Sequence, residues 1–268
     1  MIKPFDVNKY PLSTLGRMVI STNLEIGRVA IFLIKGFILI FSLPFQLSKI
    51  IQQAYFIGMK SVFVVSLTAI FTGMVLGLQG YYTLVKFGSE GLLGAAVALS
   101  LVRELGPVMT AIVVIGRAGS AMAAEIGIMR ISEQIDALET MDISPIRLLV
   151  SPRIAASLIS FPLLTALFDV VGIFGGYISG SGLLGINPGI FFARVESSVD
   201  MGDITGGFIK SIVFAVVVAT ICCYQGYFTH TRAKGFGAEG VSYSTTSAVV
   251  VSFVMVLVVD YVLTSFLL

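Results

Sequence analysis

The residues best able to do chemistry in this sequence are charged side chains that interrupt long apolar runs. Arg103 and Glu104 stand side by side in SLVRELGPV, residues 100–108. Three more interrupt other apolar runs: Asp169, Lys210 and Asp260. At the centre of a membrane-spanning helix each charge costs roughly 2.5–3.5 kcal/mol on insertion scales, so such groups mark ligand or ion pathways or pair inside a bundle.

Arg103 and Glu104 do not face each other if this segment is a helix. Adjacent helical residues point about 100° apart, so each side chain needs a partner from another helix, from water or from a ligand. Pro107 follows and frees a backbone carbonyl, which bends the helix there. The pattern indicates either a polar cavity or buried ion pairs within the bundle. For Asp169 and Asp260, which stand alone among apolar residues, the ion-pair interpretation is favoured.

The composition is that of a polytopic membrane protein. Hydrophobic residues make up 56% of the 268 residues, charged residues only 12%, and the mean hydropathy is +0.99. A soluble domain carries about 25% charged residues. The net charge of +2 gives no reason to expect a nucleic-acid partner.

Residues that would build an enzyme or a metal site are scarce. Cys222 and Cys223 are adjacent in an apolar run, and the single histidine, His230, has no ligand partner at metal-binding spacing. No G-x-x-x-x-G-K-[ST] motif occurs, so no P-loop ATP site is predicted. We therefore expect no metal, no catalytic site and no cofactor in this chain, and an intramembrane lipid-modifying enzyme is disfavoured.

Five apolar runs reach the roughly 20 residues that a helix needs to cross the hydrocarbon core. The predicted spans cover residues 61–82, 91–116, 154–179, 208–228 and 245–267. Residues 1–60 are then a cytoplasmic or interfacial N-terminal segment, and residues 61–268 are the transmembrane domain. The fold class is an all-α integral membrane protein.

Within the N-terminal segment, residues 29–45 form an apolar run that is too short to span. Lys35 lies inside this run, and Lys49 and Lys60 follow it. A basic amphipathic helix that lies in the membrane interface fits this pattern, and a tilted additional span is the alternative.

Orientation follows from Lys and Arg, because cytoplasmic loops carry the excess of these residues. With the N-terminus inside, thirteen of the seventeen basic residues fall in three inner segments: 1–60, 117–153 and 229–240. Three fall outside: Lys86, Arg194 and Lys210. We therefore expect a cytoplasmic N-terminus and a C-terminus on the opposite side.

The stretch 125–153 is the longest charged segment between spans. Its apolar residues fall on one helical face: Ile131, Ile135 and Leu138. Ser132, with Asp136 four residues on, gives a helix start of the [ST]-x-x-[DE] type in SEQIDALETM, with one residue more than the motif. We predict a short amphipathic helix over about residues 131–142 that stops before Pro145. Such a helix between two span ends is either a docking surface or an ordinary surface helix.

Several stretches together resemble the MlaE/YrbE family of ABC-transporter permeases. They are GMVLGLQGY (73–81), LVRELGPV (101–108), GRAGSAMAAEIGIMR (116–130), EQIDALETM (133–141), SPR (151–153) and FIKSIVFA (208–215). The resemblance covers about residues 50–268, whereas the first 50 residues agree only in general character.

The resemblance implies a permease that dimerises in the inner membrane of a diderm bacterium, which makes the C-terminus periplasmic. The implied partners are a second copy of the chain, a cytoplasmic ABC ATPase that carries ATP and Mg²⁺, a periplasmic MCE-domain protein and usually a STAS-domain protein. The implied cargo is phospholipid, moved between the inner membrane and the periplasmic carrier to maintain outer-membrane lipid asymmetry.

Matching motif positions imply two sets of functional residues. The lipid-binding set is Arg103, Glu104, Lys210, Leu76, Gln79 and Leu105. The set that couples to the ATPase is Glu133, Gln134, Asp136, Leu138, Glu139 and Met141. In this interpretation the charged pair forms the polar part of a lipid-headgroup site, because Arg and Lys suit phosphate recognition.

The alternative function is an ion- or proton-coupled membrane carrier that uses Arg103 and Glu104, with Asp169 and Asp260 as a relay. Such a carrier would not need the amphipathic helix at 131–142. An ATPase gene and an MCE-domain gene beside this one would favour the permease.

Overall fold

This computed structural model describes residues 11–42, 46–231 and 237–267 of the chain. The α-helices in chain order are α1 (Pro11–Ile38), α2 (Leu47–Ile57), α3 (Val62–Val85), α4 (Leu93–Ser100), α5 (Gly106–Val114), α6 (Ser120–Ile131), α7 (Gln134–Thr140), α8 (Ser151–Tyr177), α9 (Pro188–Ser198), α10 (Met201–Tyr227) and α11 (Gly237–Leu267). The described ranges contain no strand, and the predicted all-α fold class is confirmed.

Several helices join end to end into segments that are long and apolar enough to cross a membrane. The described residues contain five of them: Leu47–Val85, Glu90–Ile131, Ile146–Leu183, Met201–Tyr227 and Gly237–Leu267. The prediction of five spanning helices is therefore confirmed. The helices extend beyond most of the apolar runs, because polar and basic residues continue each helix past its hydrophobic centre.

The N-terminal part of the chain is helical as well. α1 includes residues 29–38 of the predicted interfacial run, and Phe32 packs edge-on against Tyr224 of α10. Residues 43–45 lie outside the described ranges, as do four basic residues of the orientation argument: Lys3, Lys9, Arg232 and Lys234. The interfacial position of α1 and the boundary at residue 60 stay predictions, although α2 already belongs to the first spanning segment.

Two spanning segments contain π-helical turns, in which an N–H bonds the carbonyl five residues back. One of these turns, Leu101–Leu105, carries Arg103 and Glu104 and is closed by the Gly106 N–H donating to the Leu101 carbonyl. Pro107 follows directly and has no N–H for the helix ladder. The bend expected at Pro107 therefore coincides with a wider turn that re-aims the charged side chains.

Glycines set the contact between α3 and α8. A Cβ at Gly73 would collide with the carbonyl oxygen of Gly172 in α8, and a Cβ at Gly77 would collide with Ser179 Oγ in the π-helical stretch that continues α8. In lipid there is little hydrophobic drive for helices to associate, so close backbone approach at small residues provides the packing. This pair of helices forms a rigid wall of the bundle.

The short helices mark the two ends of the bundle. α7 lies at the end where α10 finishes, because Arg130 of α6 bonds both Asp136 of α7 and His230. α9 lies at the end where α10 starts, and its Phe191 backbone packs against Gly94 of α4. We call these the α7 end and the α9 end.

The glycine contact between α3 and α8 predicts that Gly73→Ala will lower the stability of the protein. The added methyl group must push two backbones apart, and overpacking of this kind costs about 1–3 kcal/mol. Thermal unfolding in detergent, followed by size-exclusion chromatography, measures the loss. Gly116→Ala is the matched control, because a Cβ there meets nothing within 4 Å. Equal melting temperatures for the two variants would contradict the close-packing argument.

Candidate functional site: an intramembrane charge cluster

Lys210 is the centre of the charged cluster. Its Nζ donates to Glu104 Oε2 at 2.5 Å and to Thr264 Oγ1 at 2.7 Å. The same nitrogen lies 3.4 Å from Asp260 Oδ1. Lys210 is only 2% exposed, so these groups must balance its charge in place of water. Three spanning segments, which carry residues 104, 210 and 260, meet at this one ammonium group.

Lys210 also supplies a hydrogen bond that Pro107 cannot. In an α-helix the N–H of residue 107 would donate to the carbonyl of Arg103, four residues back, and proline has no N–H. Lys210 Nζ donates to that carbonyl at 3.0 Å. The RELGP motif therefore creates an acceptor that the lysine of a different helix satisfies.

Arg103 finds its partner on α10 as well. Its Nε donates to Asp203 Oδ1 at 2.6 Å, while its side chain keeps 42% of its surface exposed. Asp203 belongs to a capping box at the start of α10, in which Asp203 Oδ2 accepts the Asp200 N–H at 3.2 Å. The expectation that Arg103 and Glu104 each need a separate partner from elsewhere in the fold is confirmed.

The cluster lines a small pocket near the α9 end. Its volume is about 40 Å³, enough for a few water molecules, and its walls include Arg103, Glu104, Asp203, Lys210 and Thr264. Gly202 and Gly206 of α10 have open space in front of them. A polar group can therefore approach Arg103 without meeting a side chain on this face of α10.

The other predicted lipid-binding residues lie elsewhere. Leu76 and Gln79 of α3 line a different cavity of about 300 Å³, between α3 and α4. Leu105 is half-buried against the core and is absent from the walls of both cavities. Within one copy of the chain, the structure brings together the three charged members of the predicted set and separates them from the two α3 residues.

Sequence reasoning missed Asp203 and Thr264. Asp203 follows Asp200 at the three-residue spacing of a capping box, which is a signal that the sequence does carry. Thr264 carries no such signal, because a threonine in an apolar helix ordinarily bonds a carbonyl of its own helix. Its hydroxyl instead bonds both Lys210 and Glu104, and only the fold could reveal that.

At the α7 end, the predicted coupling helix is α7, Gln134–Thr140. Ile135 is buried beneath it and Leu138 is half-buried. The outward residues of the predicted coupling set are Glu133, Gln134, Asp136, Glu139 and Met141. The helix therefore presents an acidic face with a terminal methionine, and its role in coupling stays a prediction.

The predicted capping role of Ser132 is wrong. Ser132 Oγ donates back to the Ile128 carbonyl at 2.8 Å, so this residue ends α6 rather than starting α7. Glu133 precedes α7 in a left-handed conformation, with φ 57°, and makes no side-chain cap. The chain turns from α6 into α7 at Glu133, and this turn uses the left-handed conformation. The turn therefore decides where α7 begins, and the polar residues of the local capping pattern do not.

Two contacts fasten α7 to the end of α10. Arg130 donates to Asp136 Oδ1 at 2.8 Å and to His230 Nδ1 at 2.9 Å. Burial, and then the neighbouring Arg130 cation, lower the pKa of His230 below its usual value, so the imidazole is neutral at pH 7 and can accept this bond. Tyr227 Oη donates to Glu139 Oε1 at 2.9 Å. Two acids of the predicted coupling set are thus engaged within the chain.

The chemistry that the charge cluster offers is recognition of charged groups. In the part of the chain that the structure describes, no group of three or more His, Cys, Asp or Glu side chains could hold a metal ion. Cys222 and Cys223 are buried, free thiols.

Curated proteins that are similar to this chain include proteins named as permeases. The intermembrane phospholipid transport system permease protein MlaE of Haemophilus influenzae is 40% identical, over 95% of this chain and 96% of its own length. A probable ABC transporter permease protein of Rickettsia typhi is also 40% identical, over 89% of this chain and 92% of its own length. The chloroplastic protein trigalactosyldiacylglycerol 1 of Arabidopsis thaliana is 36% identical, over 92% of this chain and 67% of its own length.

The five spanning helices and these relatives define the class of this protein as a multi-pass membrane permease. The family model described as Permease MlaE matches residues 50–266. The chain belongs to this family, and the resemblance noted in the sequence is confirmed.

The charge cluster predicts that Lys210→Met will destabilise the protein more than a double variant with Glu104→Gln. Removing the ammonium alone leaves Glu104 and Asp260 without their cation, which costs about 3 kcal/mol because Glu104 is only partly exposed. Neutralising Glu104 as well relieves part of that penalty. A double-mutant cycle on thermal unfolding in detergent measures the difference. Additive losses would mean that the Lys210–Glu104 pair contributes nothing.

Proposed function

We propose that this chain is the membrane-spanning permease of an ABC transporter that moves phospholipids. It acts between the inner membrane and a periplasmic MCE-domain carrier, and so helps to maintain outer-membrane lipid asymmetry. The relative from Haemophilus influenzae is named for intermembrane phospholipid transport and aligns over nearly its whole length, which supports this cargo.

The observation that carries the proposal is the position of the Lys210 cluster at a pocket within spanning segments. A phospholipid headgroup is a charged group that enters the membrane already attached to apolar chains. Arg103 is partly exposed, and its guanidinium, held by Asp203 through Nε, retains further N–H donors for a phosphate. Lys210 supplies a second positive charge behind it.

The pocket is too small for acyl chains, so only the polar end of the lipid enters it. Leu76 and Gln79 of α3 belong to the proposed site through a second copy of the chain, because a homodimer can bring a different face of the bundle to the charged pocket. Leu105 contributes apolar surface beside the charged pair. The chain itself binds no cofactor, and ATP with Mg²⁺ binds the ATPase.

The α7 end faces the cytoplasm in this proposal, and the α9 end faces the periplasm. The excess of Lys and Arg in the segments around α1, α7 and the connection after α10 supports this orientation. α7 docks on the cytoplasmic ATPase, a STAS-domain protein completes the cytoplasmic part, and the MCE-domain protein lies over the α9 end.

α10 links the two functional ends. It carries Lys210 in the charged pocket and Tyr227 at the contact with α7, and most of its length between them is buried. Movement of α7 driven by the ATPase would pull on Tyr227 through Glu139 and on Arg130 through Asp136. A buried helix moves as a unit, so such a pull reaches the pocket, where it would collapse the site and expel the lipid.

The headgroup site is tested by replacing Glu104 with Ala or Gln in the complex reconstituted into liposomes. Either change leaves Lys210 with one charged partner fewer, so the pocket no longer holds its cations in place. We expect lipid transfer to fall by at least about ten-fold, the effect of losing one charged hydrogen bond. Transfer of fluorescent phospholipid to acceptor vesicles, with ATP present, measures the rate.

Glu90→Gln, an exposed acid at the α9 end, is the matched control and should leave transfer unchanged. Unchanged transfer by both Glu104 variants would refute the site. ATP-independent movement of ions or protons that requires Glu104 would instead favour the carrier interpretation.

The docking role of α7 is tested by charge reversal. Glu133 is exposed and forms no ion pair with another described residue, whereas Glu139 is held by Tyr227. Glu133→Lys should therefore change the docking surface without loosening α7, and reversed charge at an interface weakens association. We expect several-fold less ATPase to co-purify, measured by affinity pull-down. Glu139→Lys should reduce it too, and Glu90→Lys at the opposite end should not. Full recovery of the ATPase with Glu133→Lys would place the docking surface elsewhere.

A further inference from the structure

A third cavity lies on the other side of α10 from the charged pocket. It is a groove of about 410 Å³, formed by α8, the last turn of α9 and the first turns of α10. Asp203 and Lys210 of α10 face the charged pocket, whereas Ile204 and Phe208 of the same helix face the groove. The groove has the volume of a small-molecule site.

Two polar side chains of α8 lie in this mostly apolar groove. Thr165 is 3% exposed, and neither its Oγ1 nor Asp169 Oδ1 has a hydrogen-bond partner among the described residues. Other buried hydroxyls in the spans, those of Thr110, Ser157 and Thr220, also lack a partner, but Thr165 and Asp169 line a cavity large enough to hold a ligand. Buried polar atoms are ordinarily paired, so these two call for a donor or acceptor from outside the described chain.

The fold keeps room for the Asp169 carboxyl. Its Oδ1 lies against Gly106, where any Cβ would collide with it. Gly106 follows the π-helical turn that carries Arg103 and Glu104. The π-helical turn therefore presents charges to the charged pocket, and the glycine directly after it leaves space for the carboxyl of the groove.

The acidic side chains of the groove favour a cationic ligand. Its walls include two acids, Asp169 and Glu196, and no Lys or Arg is among the described residues that line it. The charged pocket also has two acids, Glu104 and Asp203, but it pairs them with two bases, Arg103 and Lys210. A cationic N–H donor would be matched by these acids and would satisfy the orphaned oxygens, whereas an anionic ligand would find no basic side chain among the described wall residues.

The apolar walls show that the ligand also carries a hydrophobic part. Val170 is 68% exposed at the rim, and Ile173 and Phe208 continue the wall. From Thr165 to Ile173 the groove follows α8 for about 12 Å, at 1.5 Å per residue. This length accommodates a polar group and part of a hydrocarbon chain, and most residues of the groove belong to segments long and apolar enough to span a membrane.

We propose that this groove binds a membrane lipid with a primary ammonium group. The ammonium donates hydrogen bonds to Asp169 and to Thr165 Oγ1, and a chain of the lipid lies along Val170, Ile173 and Phe208. The proposal concerns binding at a site separate from the charged pocket, and it does not require that the chain transports lipid.

The experiment uses the full chain, purified with its partners, in nanodiscs of phosphatidylcholine that contain a small fraction of phosphatidylethanolamine or phosphatidylglycerol. Native mass spectrometry counts the lipids that stay bound. Phosphatidylcholine carries a positive nitrogen without N–H, so it separates hydrogen bonding from charge. We expect phosphatidylethanolamine to be enriched roughly ten-fold over its share, the effect of one charged hydrogen bond, and phosphatidylglycerol not to be enriched.

Substitutions assign the enrichment to the groove. Asp169→Asn and Thr165→Val should reduce it several-fold, and Val170→Trp should abolish it by filling the rim. Leu163→Trp is the matched control, because Leu163 is 65% exposed on the same helix and lies outside the groove. If Asp169→Asn does not fold, the rim variant and its control still decide the question.

Two results would overturn the proposal. One is equal retention of phosphatidylethanolamine and phosphatidylcholine by the unchanged protein. The other is an enrichment that survives Val170→Trp. Glu104→Gln distinguishes the two cavities, since it should leave this enrichment intact while it impairs transfer. Normal transfer by Glu104→Gln would contradict the proposed function and leave the groove proposal standing.

Discussion

The structure depends on one constraint: an ammonium group buried among spanning helices must have its charge balanced by the helices themselves. Lys210 meets this constraint with Glu104, Thr264, Asp260 and a backbone carbonyl. These partners come from two spanning segments and Lys210 from a third, so the requirement of one charge fixes how three helices are placed relative to one another. That carbonyl belongs to Arg103, and Pro107 has no N–H to donate to it. The proline and the lysine therefore act together, because the lysine supplies the hydrogen bond that the proline cannot.

The same helix, α10, serves both ends and both cavities. Its first turns separate the charged pocket from the acidic groove, and its last residue contacts α7. Most of α10 is buried, so the helix is packed against its neighbours over most of the distance between its two ends. Glycines rather than large side chains set the α3–α8 wall, because in lipid helix contact depends on close approach. The closely packed α3–α8 pair beside the buried α10 suits a permease in which movement is confined to one part of the bundle.

Much of the fold follows from the sequence. Hydropathy and length gave the number and order of spanning helices, because each helix satisfies its own backbone and needs about 20 apolar residues to cross. Helix starts were less predictable. Ser132 has the composition of a cap but ends the preceding helix, while the real capping box belongs to Asp200 and Asp203. A short pattern of polar residues can end one helix or begin the next, and the packing of the two helices decides between these alternatives.

The sequence by itself determined which residues are charged inside the membrane, and thus that Arg103, Glu104 and Lys210 need an explanation. The tertiary structure decided which of them meet. It joins Asp203 and Thr264 to this cluster, leaves Leu76 and Gln79 in another cavity, and sets Asp169 in a groove of its own. The physical reason is that a charge in an apolar run can be recognised from the local sequence, whereas its compensation depends on side chains that are distant in sequence and are brought together only by helix packing.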